Sequence, residues 1–252
     1  MNKNKEVLAG AGTMGASLAQ VYAQAGWDTV LWNRSAAGLE RAKSLISLNQ
    51  ATFIKEGILV EVESNAMLSR IRMTTDKADY QDAALVVESI VEKLDAKQAF
   101  WEEISALVPA EALLATNTSG LKITEIAKAC KHPERFMGQH WLNPPHLLPL
   151  CEIIAGEQTA PENVQKMRTL VKNLGKQPVV VADINGFIIN RIQFALLREA
   201  LHIVDIGAAT VEDVDTALKA GMGLRYAALG PFGVADFGGL DTFDHINSYL
   251  NA

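Results

Sequence analysis

Short, mainly apolar, β-rich runs alternate with helix-period segments over the first two thirds of the chain. The runs fall at residues 6–9, 29–32, 84–88 and 113–116, with two more at 151–154 and 178–181. Runs that lack polar alternation are those of strands buried on both faces, and strands separated by helices build a parallel sheet. Helical periodicity occupies 15–24, closed by Gly26, and 93–107, which ends before Pro109. A third stretch covers 161–175, with Pro161 in its first turn and Gly175 at its end.

Beyond Ala182 the strand pattern stops. Residues 186–207 read as one long helix, apolar at Phe187, Ile188, Ile192, Leu196 and Leu197. Thr210-Val211-Glu212-Asp213 resembles a capping box opening a helix to Ala220, followed by turns at Gly221, Gly223 and 230–233. The pattern predicts two domains. Residues 1–182 form the α/β domain, and 183–252 form a small all-α one. A helical unit of that size is marginal alone, so it is expected to pack on the first domain or on a second copy of itself.

Composition narrows the function classes. With 49% hydrophobic and 21% charged residues, 252 residues can bury a core without disulfides. A net charge of −6 gives no basic face for nucleic acid, so no nucleic-acid partner is expected. Cys130 and Cys151 have no metal-type neighbours in sequence and read as reduced thiols, with no metal site. No apolar stretch suits a signal peptide or a bilayer span, so the chain is expected in the cytoplasm with no membrane partner.

The first apolar run leads directly into Gly10-Ala11-Gly12-Thr13-Met14-Gly15, at the opening of a helix. In that context G-x-G-x-x-G is a dinucleotide-binding loop, and the larger domain becomes Rossmann-type. Gly10 permits the tight turn, Gly12 lets the backbone approach a pyrophosphate, and Gly15 lets helix and strand pack closely. Thr13 and Met14 offer the first helical N–H groups, which favour phosphate. The second run ends in Asn33-Arg34-Ser35, where NAD enzymes generally carry Asp or Glu for the ribose hydroxyls. Asn33 removes a carboxylate that would repel a 2′-phosphate, and Arg34 and Ser35 could bind one. The alternative is that Arg34 is solvated and Asn33 still bonds the ribose. NAD and NADP therefore both stand.

Polar clusters fall near the carboxyl side of the expected strands, where open α/β sheets bind ligands. They are Asn117-Thr118-Ser119, His140-Trp141-Leu142-Asn143-Pro144-Pro145, and Glu152 twelve residues after His140. Asn190-Arg191 lies on the first helix of the small domain.

These runs, with 87–92, 150–152, 186–191, Gly230-Pro231-Phe232 and Gly239-Leu240-Asp241, make the chain resemble the L-3-hydroxyacyl-CoA dehydrogenase family, 3-hydroxybutyryl-CoA type, over nearly its whole length. The resemblance implies reversible, NAD(P)-dependent oxidation of a short-chain L-3-hydroxyacyl-CoA. It implies His140 as general base, a role its ordinary pKa suits, with Glu152 orienting the imidazole. Ser119 would hydrogen-bond the substrate oxygen and Asn190 help polarise it. Asn117, Asn143, Glu92 and Lys97 would contact the cofactor, Asn143 at the nicotinamide end. A homodimer is expected.

Three departures bear on the substrate. The segment 41–57 carries few cations (Arg41, Lys43, Lys55) for the phosphates of CoA. Residues 223–226 and 144–150 look more like relatives that oxidise free hydroxy acids, the gulonate dehydrogenase (lambda-crystallin) and carnitine dehydrogenase kind. There Arg225 could pair a substrate carboxylate. The resembled family usually continues with a further helical stretch, so the helical domain is read as short or truncated. A free 3-hydroxy acid is thus the alternative substrate, and a non-catalytic dinucleotide-binding protein the remote one.

Overall fold

The computed structural model describes residues 4–250 of the chain. Its strands are β1 (Lys5–Ala9), β2 (Asp28–Trp32), β3 (Ile71–Thr74), β4 (Leu85–Glu88), β5 (Leu113–Thr116), β6 (Phe136–Trp141), β7 (Leu150–Ala155) and β8 (Gln177–Ala182). Its helices are α1 (Thr13–Gln24), α2 (Ala36–Lys55), α3 (Glu61–Leu68), α4 (Leu94–Leu107), α5 (Ile123–Ala127), α6 (Pro161–Asn173) and α7 (Ile189–Asp205). They are followed by α8 (Val211–Ala217), a π-helical stretch (Leu218–Gly223), α9 (Leu224–Tyr226), α10 (Pro231–Gly238) and α11 (Leu240–Leu250). The chain divides into two compact units, Met1–Arg191 and Ile192–Ala252.

In the first unit the eight strands form one sheet in the order β3-β2-β1-β4-β5-β6-β7-β8. Every neighbouring pair is parallel except β6 and β7. This is the mainly parallel, Rossmann-type sheet the sequence pattern predicts. The strand order reverses between β1 and β4, the crevice where such sheets bind ligands. Both faces are covered. Leu8, Leu31 and Val87 pack on Leu18 and Tyr22 of α1 and on Met167 of α6. Val7, Val86 and Leu114 pack on Trp101 of α4 and Ile126 of α5.

Two strands were not expected. β3 is a half-exposed edge strand, too weakly apolar to stand out. β6 is wholly buried but contains Gly138, Gln139 and His140, which interrupt its apolar run. Gly138 leaves room for its neighbours, since a Cβ would come within 2.8 Å of the Ile123 side chain and 2.9 Å of that of Ile154, which would have to shift. Buried Gln139 is satisfied: its Oε1 accepts from the Tyr22 hydroxyl (2.9 Å) and the Trp141 indole (3.1 Å).

The second unit is helical, as expected. Thr210 caps α8, its hydroxyl accepting the Asp213 amide at 3.1 Å. Phe232 and Phe237 are each 89% exposed. The long helix begins at Ile189 rather than near 186, because Gly186 and Phe187 are left-handed, with φ of 77° and 50°.

Candidate functional site

The glycine loop leaves β1 and enters α1. Gly10 has a φ of 109°, and a Cβ there would lie 2.5 Å from the Ser89 carbonyl oxygen. A Cβ on Gly15 would lie 1.8 Å from the Gly10 carbonyl oxygen. Gly12 differs from both. Its φ is −78° and a Cβ would meet nothing within 4 Å. The protein's own packing does not call for a glycine here, and the open backbone is of the kind a pyrophosphate could approach. No side chain caps α1, and its first turn holds no acidic residue. The uncapped N–H groups and the helix dipole therefore face an open surface suited to phosphate. These residues fit a dinucleotide.

At the end of β2, Asn33 Oδ1 accepts the Ala11 amide (3.4 Å), and its Nδ2 donates to the Ser35 carbonyl (2.9 Å) and hydroxyl (3.2 Å). Ser35 in turn caps α2 through Gly38. Arg34 is exposed.

The carboxyl ends of β4, β5 and β6 are tied together by buried polar groups. Asn117 donates to the Ser89 hydroxyl (3.2 Å) and accepts the Trp141 amide (2.9 Å). Lys97 is fully buried and pairs with Glu88 at 2.6 Å and Glu92 at 3.3 Å. Glu88 also accepts from the hydroxyl of Thr116 at 2.7 Å. Glu92 accepts the Thr118 hydroxyl and the amides of Ser119 (2.9 Å) and Gly120 (3.3 Å). Partial burial opposes ionisation of Glu92, but the bonds from Thr118, Lys97 and Ser119 outweigh it and hold the carboxyl below its ordinary range. Lys97 and Glu92 thus anchor the loop that carries Ser119. Asn143 is exposed, and Lys176 holds the segment after it through the carbonyls of Pro145 (2.7 Å) and Leu148 (3.0 Å).

His140 and Glu152 lie in the antiparallel part of the sheet, directly opposite one another on β6 and β7. Both are buried, and His140 Nδ1 is 2.6 Å from Glu152 Oε2. Glu152 Oε1 accepts the amides of Ile188 (2.9 Å) and Ile189 (3.1 Å). Burial would raise the Glu152 pKa, but the bonds from His140, Ile189 and Ile188 prevail and lower it. An ionised carboxylate on Nδ1 fixes the imidazole tautomer, leaving Nε2 for proton transfer. Asn190 follows the two amides, and its Nδ2 donates to the Ser119 carbonyl at 2.9 Å.

The first unit thus links Glu92, Ser119 and Asn190 in one chain of bonds, and His140, Glu152 and the start of α7 in another. Arg225 is not among them. It lies on α9 and, with Leu196, Asp213 and Met222, lines a cavity of about 520 Å³ within the second unit. Among the described residues no group of three or more His, Cys, Asp or Glu could hold a metal. Glu88 and Phe187 were in view as parts of sequence runs but had no expected role, since neither pairing with Lys97 nor packing on His140 has a local sequence signal.

Residues 7–184 match the 3-hydroxyacyl-CoA dehydrogenase NAD binding domain, and 186–252 match the C-terminal domain of the same family. The chain is 38% identical over 245 residues to 5-formyl-3-hydroxy-2-methylpyridine 4-carboxylate 5-dehydrogenase of Mesorhizobium japonicum, covering 96% of this chain and 78% of that one. It is 38% identical over 233 residues to 3-hydroxybutyryl-CoA dehydrogenase of Bradyrhizobium diazoefficiens, covering 92% and 78%. Among solved structures, (S)-3-hydroxybutyryl-CoA dehydrogenase from Ralstonia eutropha superposes with a TM-score of 0.83 at 31% identity, covering 99% of this chain and 87% of that one. A structure of the pyridine-carboxylic acid dehydrogenase, described as an NAD+ dependent dismutase, gives a TM-score of 0.89 at 36% identity, covering 98% and 80%.

Proposed function

The chain belongs to the 3-hydroxyacyl-CoA dehydrogenase family, and from that premise we propose that it interconverts short-chain L-3-hydroxyacyl-CoA and 3-ketoacyl-CoA thioesters. It is an oxidoreductase acting on CH–OH groups with an NAD-binding domain. The observation that carries the reading is the buried His140–Glu152 pair at 2.6 Å. In the oxidative direction His140 Nε2 takes the hydroxyl proton. Glu152 keeps Nδ1 protonated and stabilises the imidazolium as it forms. Ser119 donates to the substrate oxygen, Asn190 helps polarise it, and Glu92 with Lys97 holds the Ser119 loop in register. Gly10–Gly15, with Asn117 and Asn143, would hold a dinucleotide, which when bound would supply the acceptor for the hydride leaving the same carbon.

The test is NADH and NADPH oxidation with acetoacetyl-CoA beside free 3-keto acids. Turnover of the thioester supports the reading. Turnover of free acids alone would transfer it to the hydroxy-acid alternative, in which Arg225 pairs the carboxylate. No turnover with any substrate would leave the chain a dinucleotide-binding protein. A homodimer and a cytoplasmic location belong to the same reading. The exposed Phe232 and Phe237 support the first, and the two free, buried cysteines support the second. A sedimentation mass equal to one chain would refute the dimer. Among the described residues no helix is long and apolar enough to cross a membrane.

A further inference from the structure

Phe187 is a bulky residue with a φ of 50°, and among the described residues it is the one non-glycine residue with positive φ. A side chain of that size is strained in the left-handed region and persists there only where its surroundings over-determine it. Three contacts do so. The Phe187 amide donates to the Ile184 carbonyl at 3.2 Å, closing a four-residue turn whose third residue is Gly186. The ring has no exposure to solvent and sits 5.4 Å, centroid to centroid, from the His140 imidazole. The next two amides, Ile188 and Ile189, point at Glu152 Oε1.

A residue needed only to fill the core has no reason to adopt this backbone, since any apolar side chain at ordinary φ would serve. One needed only to turn the chain would be glycine or asparagine, which reach the left-handed region with little strain. Phe187 does both at once, and both ends of the arrangement meet the same His–carboxylate pair. The segment is fixed from upstream as well: Asp183 accepts the amides of Ile123 (2.9 Å) and Thr124 (2.8 Å). Downstream, Asn190 is held on the Ser119 carbonyl.

We propose that Phe187 is a positioning residue for proton transfer. Its left-handed backbone aims the Ile188 and Ile189 amides at Glu152, while its ring closes one side of the His140 imidazole, so that the carboxylate meets Nδ1 in a single geometry. The proposal rests on the reading of His140 as the base.

Phe187→Gly keeps the turn and removes the ring; Phe187→Leu keeps apolar volume and removes the flat face. With acetoacetyl-CoA and NADH, Phe187→Gly is expected to lower kcat about 100-fold, the scale of a misplaced catalytic group, with KM changed less than about threefold. Phe187→Leu should lose roughly tenfold in kcat alone. The loss should largely vanish when Phe187→Gly is made in a Glu152→Gln background, because residues acting through one pair are not additive. A kcat near wild type in either variant, or a loss that simply multiplies with Glu152→Gln, overturns the proposal. The Leu variant decides the matter if the Gly variant does not fold.

One readout needs no turnover: the downfield proton resonance of His140 Nδ1–H, assigned by its loss in His140→Gln. It should be present in the wild type and broadened or shifted in Phe187→Leu. An unchanged resonance overturns the role of Phe187 even if the wild type proves inactive on every substrate tried. Inactivity of the wild type alone would strike only the proposed reaction.

Discussion

Glu152 stands directly across the antiparallel ladder from His140, and its two oxygens serve different partners: Oε2 meets Nδ1 of His140, and Oε1 meets the amides that open α7. A carboxylate can do this because both oxygens only accept. A carboxamide has one acceptor oxygen, so Gln at this position can satisfy either the imidazole N–H or the two amides. Glu152→Gln is therefore expected to lower both kcat and Tm, the latter by about 2–4 °C for each kcal/mol lost in a chain of this size. His140→Gln should lower kcat by about 10³ and leave dinucleotide binding unchanged, since the proposed dinucleotide contacts lie on the glycine loop and not on the imidazole. Steady-state kinetics, NADH fluorescence titration and thermal unfolding separate the two cases. Near-normal turnover by His140→Gln would sink the assignment of the base.

The glycines of the loop make a second pair of opposites. Gly12→Ala places a methyl in open space at an ordinary φ, so Tm should hold while dinucleotide affinity falls at least about tenfold. Gly15→Ala drives a methyl into the Gly10 carbonyl, so stability should fall by about 1–3 kcal/mol, the range for overpacking, and Tm with it. Calorimetry with and without NADH checks both. Equal Tm losses in the two variants would contradict the distinction.

Glu6 gives a pH prediction unconnected with catalysis. It is fully buried on β1, and among the described residues neither carboxyl oxygen has a hydrogen-bond partner. Burial pushes its pKa well above 4.5, and the neighbouring Thr29 hydroxyl offsets this only in part. The folded state therefore holds a proton that the unfolded chain releases from about pH 4.5 upward. Between those two pKa values the folded state binds more protons, so this group's contribution is full below pH 4.5 and is lost as pH rises toward the folded pKa. Glu6→Gln removes the titration. Its Tm relative to wild type should rise as pH increases above 4.5, and a flat difference would show that Glu6 is solvated or paired.

The parts of the fold that announced themselves were those where one physical demand acted alone. β1, β4 and β5 are buried on both faces, so each carries consecutive apolar residues (7–9, 85–87 and 113–115) and the runs are plain. Gly10 and Gly15 are dictated by backbone contact and were legible for the same reason. β6 was hidden because it answers to two demands at once: it is a central strand, and it also carries His140 and a Gln139 that pairs with Tyr22 and Trp141. Its polar residues masked the strand, although they were what made 140–145 visible as chemistry. The start of α7 misled for a related reason. Apolar periodicity runs on through Phe187 and Ile188, but the left-handed turn that brings the Ile188 and Ile189 amides to Glu152 has no periodicity to betray it. Lys97 shows the limit of reading roles from sequence alone. A lysine nine residues after a glutamate carries no local sign that it will be fully buried against it.

The adenosine end of the cofactor site turns on Asn33. In place of a carboxylate that could accept from both ribose hydroxyls, the chain has an amide whose oxygen takes the Ala11 N–H and whose nitrogen holds Ser35. The first turn of α2 contains no acidic residue, and exposed Arg34 precedes the capping Ser35. Nothing here repels a 2′-phosphate, and the helix start with a guanidinium favours one. Two variants isolate these contributions. Asn33→Asp restores a carboxylate and should shift the ratio of kcat/KM for NADH over NADPH upward by roughly tenfold, about 1.4 kcal/mol of discrimination. Arg34→Ala should weaken NADPH binding while leaving NADH within about twofold, because only the phosphorylated ribose presents a charge to the guanidinium. Fluorescence titration with both reduced dinucleotides reads the effect without turnover. A wild-type enzyme that strongly prefers NADH, with Arg34→Ala neutral toward both, would make Arg34 a solvated residue and return Asn33 to an ordinary ribose contact.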